Sequence, residues 1–457
     1  MSSQDLPLVR VVVLNFDGGD MTLECLDSLL ASDWPTDRLD IVMVDNGSLD
    51  DVVERVGADE RYAPIRVLEP LANLGFAGGC NLGIVAEGDY DYVALVNNDA
   101  TVDPQWLRAM VPVAESDQRI GAVAAKMLLA DRFHGIDFDV PGASHLVRGE
   151  HRLLGVRVSG VRLDGVRLDD RLAFDEGFHG GEPPALRDDE EIARWSSAIG
   201  ALRVSSDGTA VSSISVRLSC LEPRVVTLRS AIDTVTVTVS PTPQWVDVQI
   251  PPEPFDVINN VGSNLFAGGF GGDRGFLEVD EGQYAEPADV FAWCGGAVLL
   301  RRSYLDDVGT FDERFFLYYE DTDLSWRGQL RGWRYVYEPA AVVRHHHASS
   351  SGVGSSLFRF STERNRLLML AKNAPAKLAW RAGLGEVRRA VTGTIRHYIV
   401  RPLTLRLPAR PEVAHRWRVC GSYLRLTPAM LRDRWAPGRT VPRDEVMRWE
   451  VVKWPKV

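Results

Sequence analysis

"LVNNDA", residues 95–100, decides how the chain is read: an apolar run that ends in Asn97, Asn98 and Asp99. Two structures suit such an ending. Asn and Asp close turns, because their side chains bond the neighbouring backbone. They also furnish sites at the carboxyl ends of buried parallel strands, where open α/β sheets bind ligands. The sequence on either side separates the two.

Before this stretch, strand and helix signals alternate. "LVRVVVLNF" (8–16) is a β-branched run and "DMTLECLDSLLAS" (20–32) has helical periodicity. "LDIVMVDNGS" (39–48), "LDDVVERVGAD" (49–59), "IRVLEP" (65–70) and "AGGCNLGIVAEG" (77–88) continue the series. Strands alternating with helices of this length predict a parallel sheet with crossover connections. In such a sheet the carboxyl ends share one edge. Asn15 ends the first strand, Asp45 and Asn46 the second, and the third leads into Asn73 and Gly75. Turn chemistry alone would not put an amide or carboxylate at every end, so a polar crevice is expected there.

Its ligand is constrained by what the chain lacks. The first turn, "NFDGGD", is not G-x-G-x-x-G, and G-x-x-x-x-G-K-[ST] is absent, so neither a dinucleotide fold nor a P-loop is indicated. One acid and several amides cannot cage a divalent ion. Mg²⁺ or Mn²⁺ takes one or two carboxylates and completes its shell with phosphate oxygens and water. A diphosphate-bearing ligand such as a nucleotide sugar fits that pattern.

The alternation breaks after "GAVAAKMLLA" (121–130). "ISVRLSCL" (214–221), "RVVTLRS" (224–230), "DTVTVTVS" (233–240) and "WVDVQI" (245–250) have period-2 patterning and regular turns, the mark of an antiparallel sheet or sandwich. The Gly- and Asn-rich "FDVINNVGSNLFAGGFGGDRGF" (255–276) reads as a loop back to the first domain. The α/β pattern resumes at "VFAWCGGAVLLRRSYLDDVG" (290–309). The expected division is therefore 1–130, a β-rich insertion at 131–254, a second α/β half at 255–355, and a C-terminal region at 356–457.

Two further clusters attract attention. Glu320, Asp321 and Asp323 follow the aromatic run in "FFLYYEDTDLSWR" (315–327) and open a helix. Acids in a first helical turn suit the helix dipole. A carboxylate shielded by aromatics also gains affinity for a proton, which suits a general base. In "RHHHASSSG" (344–352), His345, His346 and His347 follow a strand; neighbours point different ways, and His345, nearest the strand, is favoured as a metal ligand or diphosphate contact.

Residues 356–457 hold about 22 Lys plus Arg against about 7 acids, although the whole chain carries −12. Apolar stretches such as "LLMLAKNAPAKLAWRAGL" (367–384) and "HYIVRPLTLRL" (397–407) lie among them. A basic amphipathic region suits an anionic membrane surface; helical packing against acidic neighbours is the rival. No nucleic-acid reading motif occurs, and nucleic acid is not expected as a partner. No apolar run reaches about 18 residues. "MSSQDLPLVR" has no apolar signal region, and the five cysteines are scattered without a C-x-x-C pair. The expectation is a cytoplasmic protein, peripheral on the inner face of the cell membrane.

Six pieces, "VVVLNF" (11–16), "VDNGSLDD" (44–51), "NLGFAGGCNLGI" (73–84), "LVNNDA", "WCGGAVLLRRSYLDDVGTFDERFFLYYEDTDLSWR" (293–327) and "AVVRHHHASS" (341–350), together resemble the family 2 glycosyltransferases. These are inverting enzymes of the GT-A fold, and the chain looks most like bacterial rhamnosyltransferases that build envelope polysaccharides on lipid carriers. The resemblance implies an α/β GT-A sheet and a transferase moving a sugar from a nucleotide diphosphate sugar, dTDP-rhamnose for example, to a glycan or lipid-diphosphate-linked acceptor. It sets Asn15, Asp45 and Asn46 around the nucleoside, and Asn73, Gly75 and Asn81 beside ribose and diphosphate. Asp99 matches the last acid of a metal-binding D-x-D whose first acid is here Asn97, with Mg²⁺ or Mn²⁺ as cofactor. Asp321 matches the catalytic base, with Glu320 and Asp323 as neighbours, and Trp293, Cys294, Gly295 and Gly296 the acceptor wall. The β-rich insertion departs from the common pattern, and the resemblance gives it no role. Two other readings are a sugar nucleotidyltransferase, which would want a basic phosphate loop where "NFDGGD" is acidic, and a glycan-binding protein with an inactive α/β half.

Overall fold

The computed structural model describes residues 6–144, 153–167, 172–174, 177–179, 194–346, 355–403 and 410–451. His347, one of the three consecutive histidines, lies outside them.

A strand covered on both faces has no solvent side to alternate with, so it reads as a continuous apolar run. β1 (Val9–Asn15), β2 (Leu39–Asp45), β3 (Ile65–Leu68) and β4 (Tyr92–Asn97) are such runs, linked by α1 (Gly19–Leu30), α2 (Val52–Ala58) and α3 (Gly75–Ile84). They pair in parallel in the order β3-β2-β1-β4. β5 (Ala100–Val102), α4 (Trp106–Ser116) and β6 (Ile120–Leu129) follow. Apolar side chains from the two sheet faces feed two separate cores, one around Val11, Met43 and Trp106, the other around Val12, Val44 and Leu95.

The chain then builds a second compact unit, Asp131–Val257 with Leu277–Glu281. Its strands are β7 (Phe133–Asp139), β8 (Arg157–Leu163), β9 (Val166–Arg167), β10 (Leu172–Phe174) and β11 (Arg194–Trp195). β12 (Ile199–Ser205), β13 (Ser213–Ser219), β14 (Arg224–Arg229), β15 (Thr234–Val239) and β16 (Gln244–Gln249) complete it. They form two antiparallel sheets, β10-β12-β7-β14-β15 and β11-β8-β13-β16, with β9 on β8. Period-2 patterning turns Leu202, Val204, Ile214, Val216, Val226 and Leu228 inward into one shared core.

Back in the first unit, β17 (Ile258–Asn260) pairs antiparallel with β6, and β18 (Ser263–Phe266) forms a hairpin with β19 (Phe270–Asp273). The Gly-rich stretch read as a loop is therefore partly strand. Its turn needs Gly268 and Gly269, both at positive φ (84° and 73°), and the remaining small residues let neighbouring chain approach. β20 (Ala288–Asp289), β21 (Ala297–Arg301), α5 (Arg302–Val308), α6 (Glu320–Gln329) and β22 (Arg334–His345) complete the α/β half. The sheet runs β20-β22-β6-β21-β4-β1-β2-β3. β22 is parallel to β6, while β21 runs against both β4 and β6. The carboxyl ends of β1, β2, β4 and β22 and the start of β21 thus meet at one edge.

The C-terminal region is helical: α7 (Ser356–Asn373), α8 (Ala376–Ile395), α9 (Arg401–Leu403), α10 (Arg410–Arg434) and α11 (Arg443–Val446), closing on β23 (Glu450–Val451) beside β18. α7 is no surface helix. Leu367, Leu368 and Leu370 share a buried core with Phe315 and Trp326 of the α/β half and Val419 of α10.

Candidate active site

Along the common edge a cavity of about 580 Å³ opens. One wall comes from the first half of the sheet. Asn46 donates from Nδ2 to Asn73 Oδ1 (3.1 Å) and to the Gly75 carbonyl (3.2 Å), while its Oδ1 accepts from the Leu74 N–H (2.8 Å). Asn73 Oδ1 accepts from the Gly75 N–H at 2.8 Å. Gly75 opens α3 at φ +70°, and a Cβ there would fall 2.5 Å from Phe316, so the position admits glycine alone.

The floor is formed by strand ends. His345, the last residue of β22, sets Nε2 3.0 Å from Asp99 Oδ1 and 3.2 Å from Asn97 Nδ2. Asn259 Oδ1 of β17 lies 2.9 Å from Nδ1, so the ring is held on both sides. Nε2 and Asp99 Oδ1 stand at ion-pair distance when the ring is protonated, and the same two atoms could ligate a cation when it is not. A divalent ion with two protein ligands and the rest of its shell from phosphate and water fits this pair. Among the described residues no group of three or more His, Cys, Asp or Glu could hold a metal ion.

The opposite wall carries acids. Asp321, in the first turn of α6, accepts through Oδ1 from the Thr322 N–H and Oγ1, and through Oδ2 from the Gly295 N–H at 3.3 Å. Burial raises its pKa against these donors. Glu320 beside it is 5% exposed, and burial and the Asp321 charge push its pKa well up. Its Oε2 has no partner. With donors on Asp321 and none on Glu320 Oε2, Asp321 is the more readily ionised of the pair.

The loop before α6 is strained. Phe316 adopts φ 66°, ψ −59°, with the Leu317 N–H donating to the Phe315 carbonyl at 2.8 Å, a γ-turn of the costly hand. Tyr318 (φ 69°) and Tyr319 (φ 70°) are also left-handed. Such residues cost on the order of 1–3 kcal/mol each and persist where their surroundings hold them.

Of the residues singled out in the sequence, Asn46, Asn73, Gly75, Asn97, Asp99, Cys294, Gly295, Gly296, Glu320, Asp321 and His345 line this cavity. Five others do not. Asn15 is fully buried beneath it, donating to Asp45 Oδ1 (2.8 Å) and accepting from Thr22 Oγ1 (2.7 Å), so both Asn15 and Asp45 act as struts under the floor. Asn81 is engaged by the Phe311 N–H and carbonyl (3.0 and 2.9 Å). Trp293 is fully buried against Phe311. Asp323 faces away, held by Arg327 (2.9 Å), Lys372 (2.9 Å) and Asn373 (2.7 Å).

The structure adds residues that the sequence reading missed. Asp273, at the end of β19, lines the cavity and accepts from Asn260 Nδ2. Burial, the opposing Asn260 bond and the nearby Asp321 charge leave its pKa raised to about 6. Phe276, Tyr318, Tyr319 and Phe358 give the cavity aromatic walls.

Residues 10–128, which hold the first half of the sheet and the Asp99 floor, match the family model described as Glycosyl transferase family 2. The chain is similar to the N-acetylglucosaminyl-diphospho-decaprenol L-rhamnosyltransferases of two Mycobacterium tuberculosis strains, CDC 1551 / Oshkosh and ATCC 25618 / H37Rv, each 38% identical over 110 residues. That alignment covers 24% of this chain and about a third (35%) of each relative. Among solved structures, GalNAc-T7 with UDP, GalNAc and Mn²⁺ aligns with TM-score 0.47 at 11% identity, over 84% of this chain and 51% of that one. The mannosyltransferase PcManGT of Pyrobaculum calidifontis, in complex with GDP-Man and Mn²⁺, aligns with TM-score 0.39 at 12% identity, over 95% and 88%.

Two measurements probe this geometry. Asp273 has a native pKa (about 6) above its unfolded value (3.8), so the native state holds the extra proton between them and loses stability as pH rises through that window. Asp273→Asn should therefore raise Tm relative to the unaltered protein at pH 7.5, with the difference shrinking at pH 4.5. Asp99→Ala should weaken binding of a nucleoside diphosphate in Mn²⁺ by at least about tenfold and leave binding in chelator nearly unchanged, as read by calorimetry.

Proposed function

We propose that the chain is an inverting glycosyltransferase that carries a sugar, L-rhamnose as the first candidate, from a nucleoside diphosphate to a lipid-linked glycan. The observation that supports this best is one cavity with Asp99 and His345 3.0 Å apart, able to take a cation, and a carboxylate, Asp321, on a different wall.

The reaction is a single in-line displacement. The acceptor oxygen bonds to the anomeric carbon as the bond from that carbon to the diphosphate oxygen breaks, and the configuration inverts. Asp321 takes the hydroxyl proton; the Gly295 N–H and Thr322 orient its carboxylate for that transfer. Neutral Glu320 beside it keeps a second negative charge away from the proton acceptor. Asn46, Asn73 and the amino end of α3 offer polar contacts to ribose and diphosphate. Asp99 and His345 would hold Mg²⁺ or Mn²⁺, which when bound offsets charge on the departing diphosphate. The aromatic walls suit a sugar face, and a 6-deoxy sugar adds a methyl group to that apolar contact.

A lipid-linked acceptor requires a membrane surface, and α8 is the part of the chain best suited to it. Trp380 (67% exposed) and Leu384 (62%), and at and just past its end Ile395 (47%) and Ile399 (55%), form two exposed apolar pairs four residues apart among exposed Lys377, Arg381, Arg388 and Arg396. The single acid between 376 and 403, Glu386, is buried and paired with Arg389 at 2.7 Å. Apolar and cationic side chains on one face, without exposed acids, suit an anionic headgroup layer, where each cation contributes about 1 kcal/mol. No helix among the described residues is long and apolar enough to cross a membrane.

Asp321→Asn should cut turnover by about 10²–10⁴ while donor affinity stays within a few-fold. Transfer at the unaltered rate by this variant would refute the base assignment; screening nucleotide sugars against lipid-diphosphate acceptors would fix the substrates. The protein should sediment with anionic vesicles at low salt and much less at high salt. Trp380→Ser with Leu384→Ser should weaken that association, and indifference to anionic vesicles would remove the membrane from the proposal.

A further inference from the structure

The strained loop and the acid it carries are held from outside the α/β half. Asn365 of α7, fully buried, donates through Nδ2 to the carbonyls of Phe315 (2.9 Å), Leu317 (2.8 Å) and Tyr318 (2.7 Å). Those three carbonyls straddle the γ-turn and reach into the left-handed pair that precedes Glu320. The amide cannot turn over, because Arg364 Nε donates to Asn365 Oδ1 at 2.7 Å. Arg364 also donates to the Phe315 carbonyl at 2.8 Å. Lys372 and Asn373 of the same helix α7 grip Asp323, two residues beyond Asp321. α7 therefore holds the chain on both sides of Asp321.

We propose that Asn365 is the positioning residue for Asp321: by tying down three carbonyls of the 315–319 loop it keeps the strained backbone, and with it the carboxylate, where the acceptor hydroxyl must arrive. The proposal rests on the transferase reading for its kinetics but not for its structural content. It gives the C-terminal region a role inside the site, beside any role at a membrane. Without the three bonds, the carbonyls seek water, Phe316, Tyr318 and Tyr319 relax toward negative φ, and the first turn of α6 shifts. Displacements of about 1 Å at a proton acceptor are enough to cost about 10²-fold in rate.

The test uses the full chain. Asn365→Ala should lower kcat about 10- to 100-fold, with donor KM within about threefold, and should raise amide exchange over 315–322. Asn365→Asp keeps the volume but replaces the donor hydrogens by an acceptor; it should lose as much as Ala, whereas a packing role would leave it near the unaltered rate. Val419→Ala, a cavity in the same core away from the loop, should lower Tm without the loss of kcat. In an Asp321→Asn background, Asn365→Ala should add little, because both act on one group. A kcat within threefold of the unaltered protein, unchanged exchange over 315–322, or a full additional loss on top of Asp321→Asn would each overturn the proposal. Absence of transfer by the unaltered protein from every nucleotide sugar would instead count against the transferase reading, while the exchange measurement would still decide the clamp.

Discussion

A carboxylate at the wall of a buried cavity keeps its charge only where donors replace its lost hydration, and much of the site is arranged around that requirement. Asp321 has the Gly295 N–H and two donors from Thr322 to offset its lost hydration. Glu320, one residue away, has a buried oxygen with no donor and gives up its charge instead. Asp273 feels the same charge from another wall. Acids crowded into one enclosure do not all ionise easily, so donor placement favours some over others. The donors come from three separate parts of the chain: the turn before β21, the first turn of α6 and, through Asn260, the strand that follows the insertion.

Backbone strain enters for the same reason. A helix placed to present Asp321 to the cavity needs a sharp approach, and the chain achieves it with left-handed Phe316, Tyr318 and Tyr319. Phe316 also presses on the amino end of α3, where its carbonyl accepts from the Ala77 N–H at 3.2 Å and Gly75 leaves it room. The turn that opens α3 and the acid-bearing loop are thus in direct contact. A bulkier residue at 75 would disturb both walls at once.

How much of this could be read in the sequence depended on whether a residue's place followed from local pattern. Asp99 and His345 were legible, because apolar strands announce their own carboxyl ends and a parallel sheet gathers those ends. Asp273 and Asn259 were not: they lie in a Gly- and Asn-rich stretch without periodicity, and only pairing with β6 and within the β18–β19 hairpin brings them to the cavity. Among Glu320, Asp321 and Asp323 the pattern announced a helix start but not which acid faced inward; Lys372 and Asn373, far along the chain, turn Asp323 away. Asn15, Asp45 and Asn81 match motif positions, yet they spend their hydrogen bonds on neighbouring protein groups. The basic composition of the tail suggested a surface, and it concealed α7, whose apolar residues are core.

The pairing of Ile258 with Leu128 has a consequence for how such a chain is assembled. The β-rich unit leaves after β6 and the chain resumes in β17, two antiparallel neighbours, so its ends occupy the mouth of what would otherwise be a hairpin. Closure entropy grows only logarithmically with the length of an intervening segment. A unit with its own core can therefore be lengthened within this connection while the register of the central sheet is left as it was. The same junction would be a natural place to graft a reporter domain.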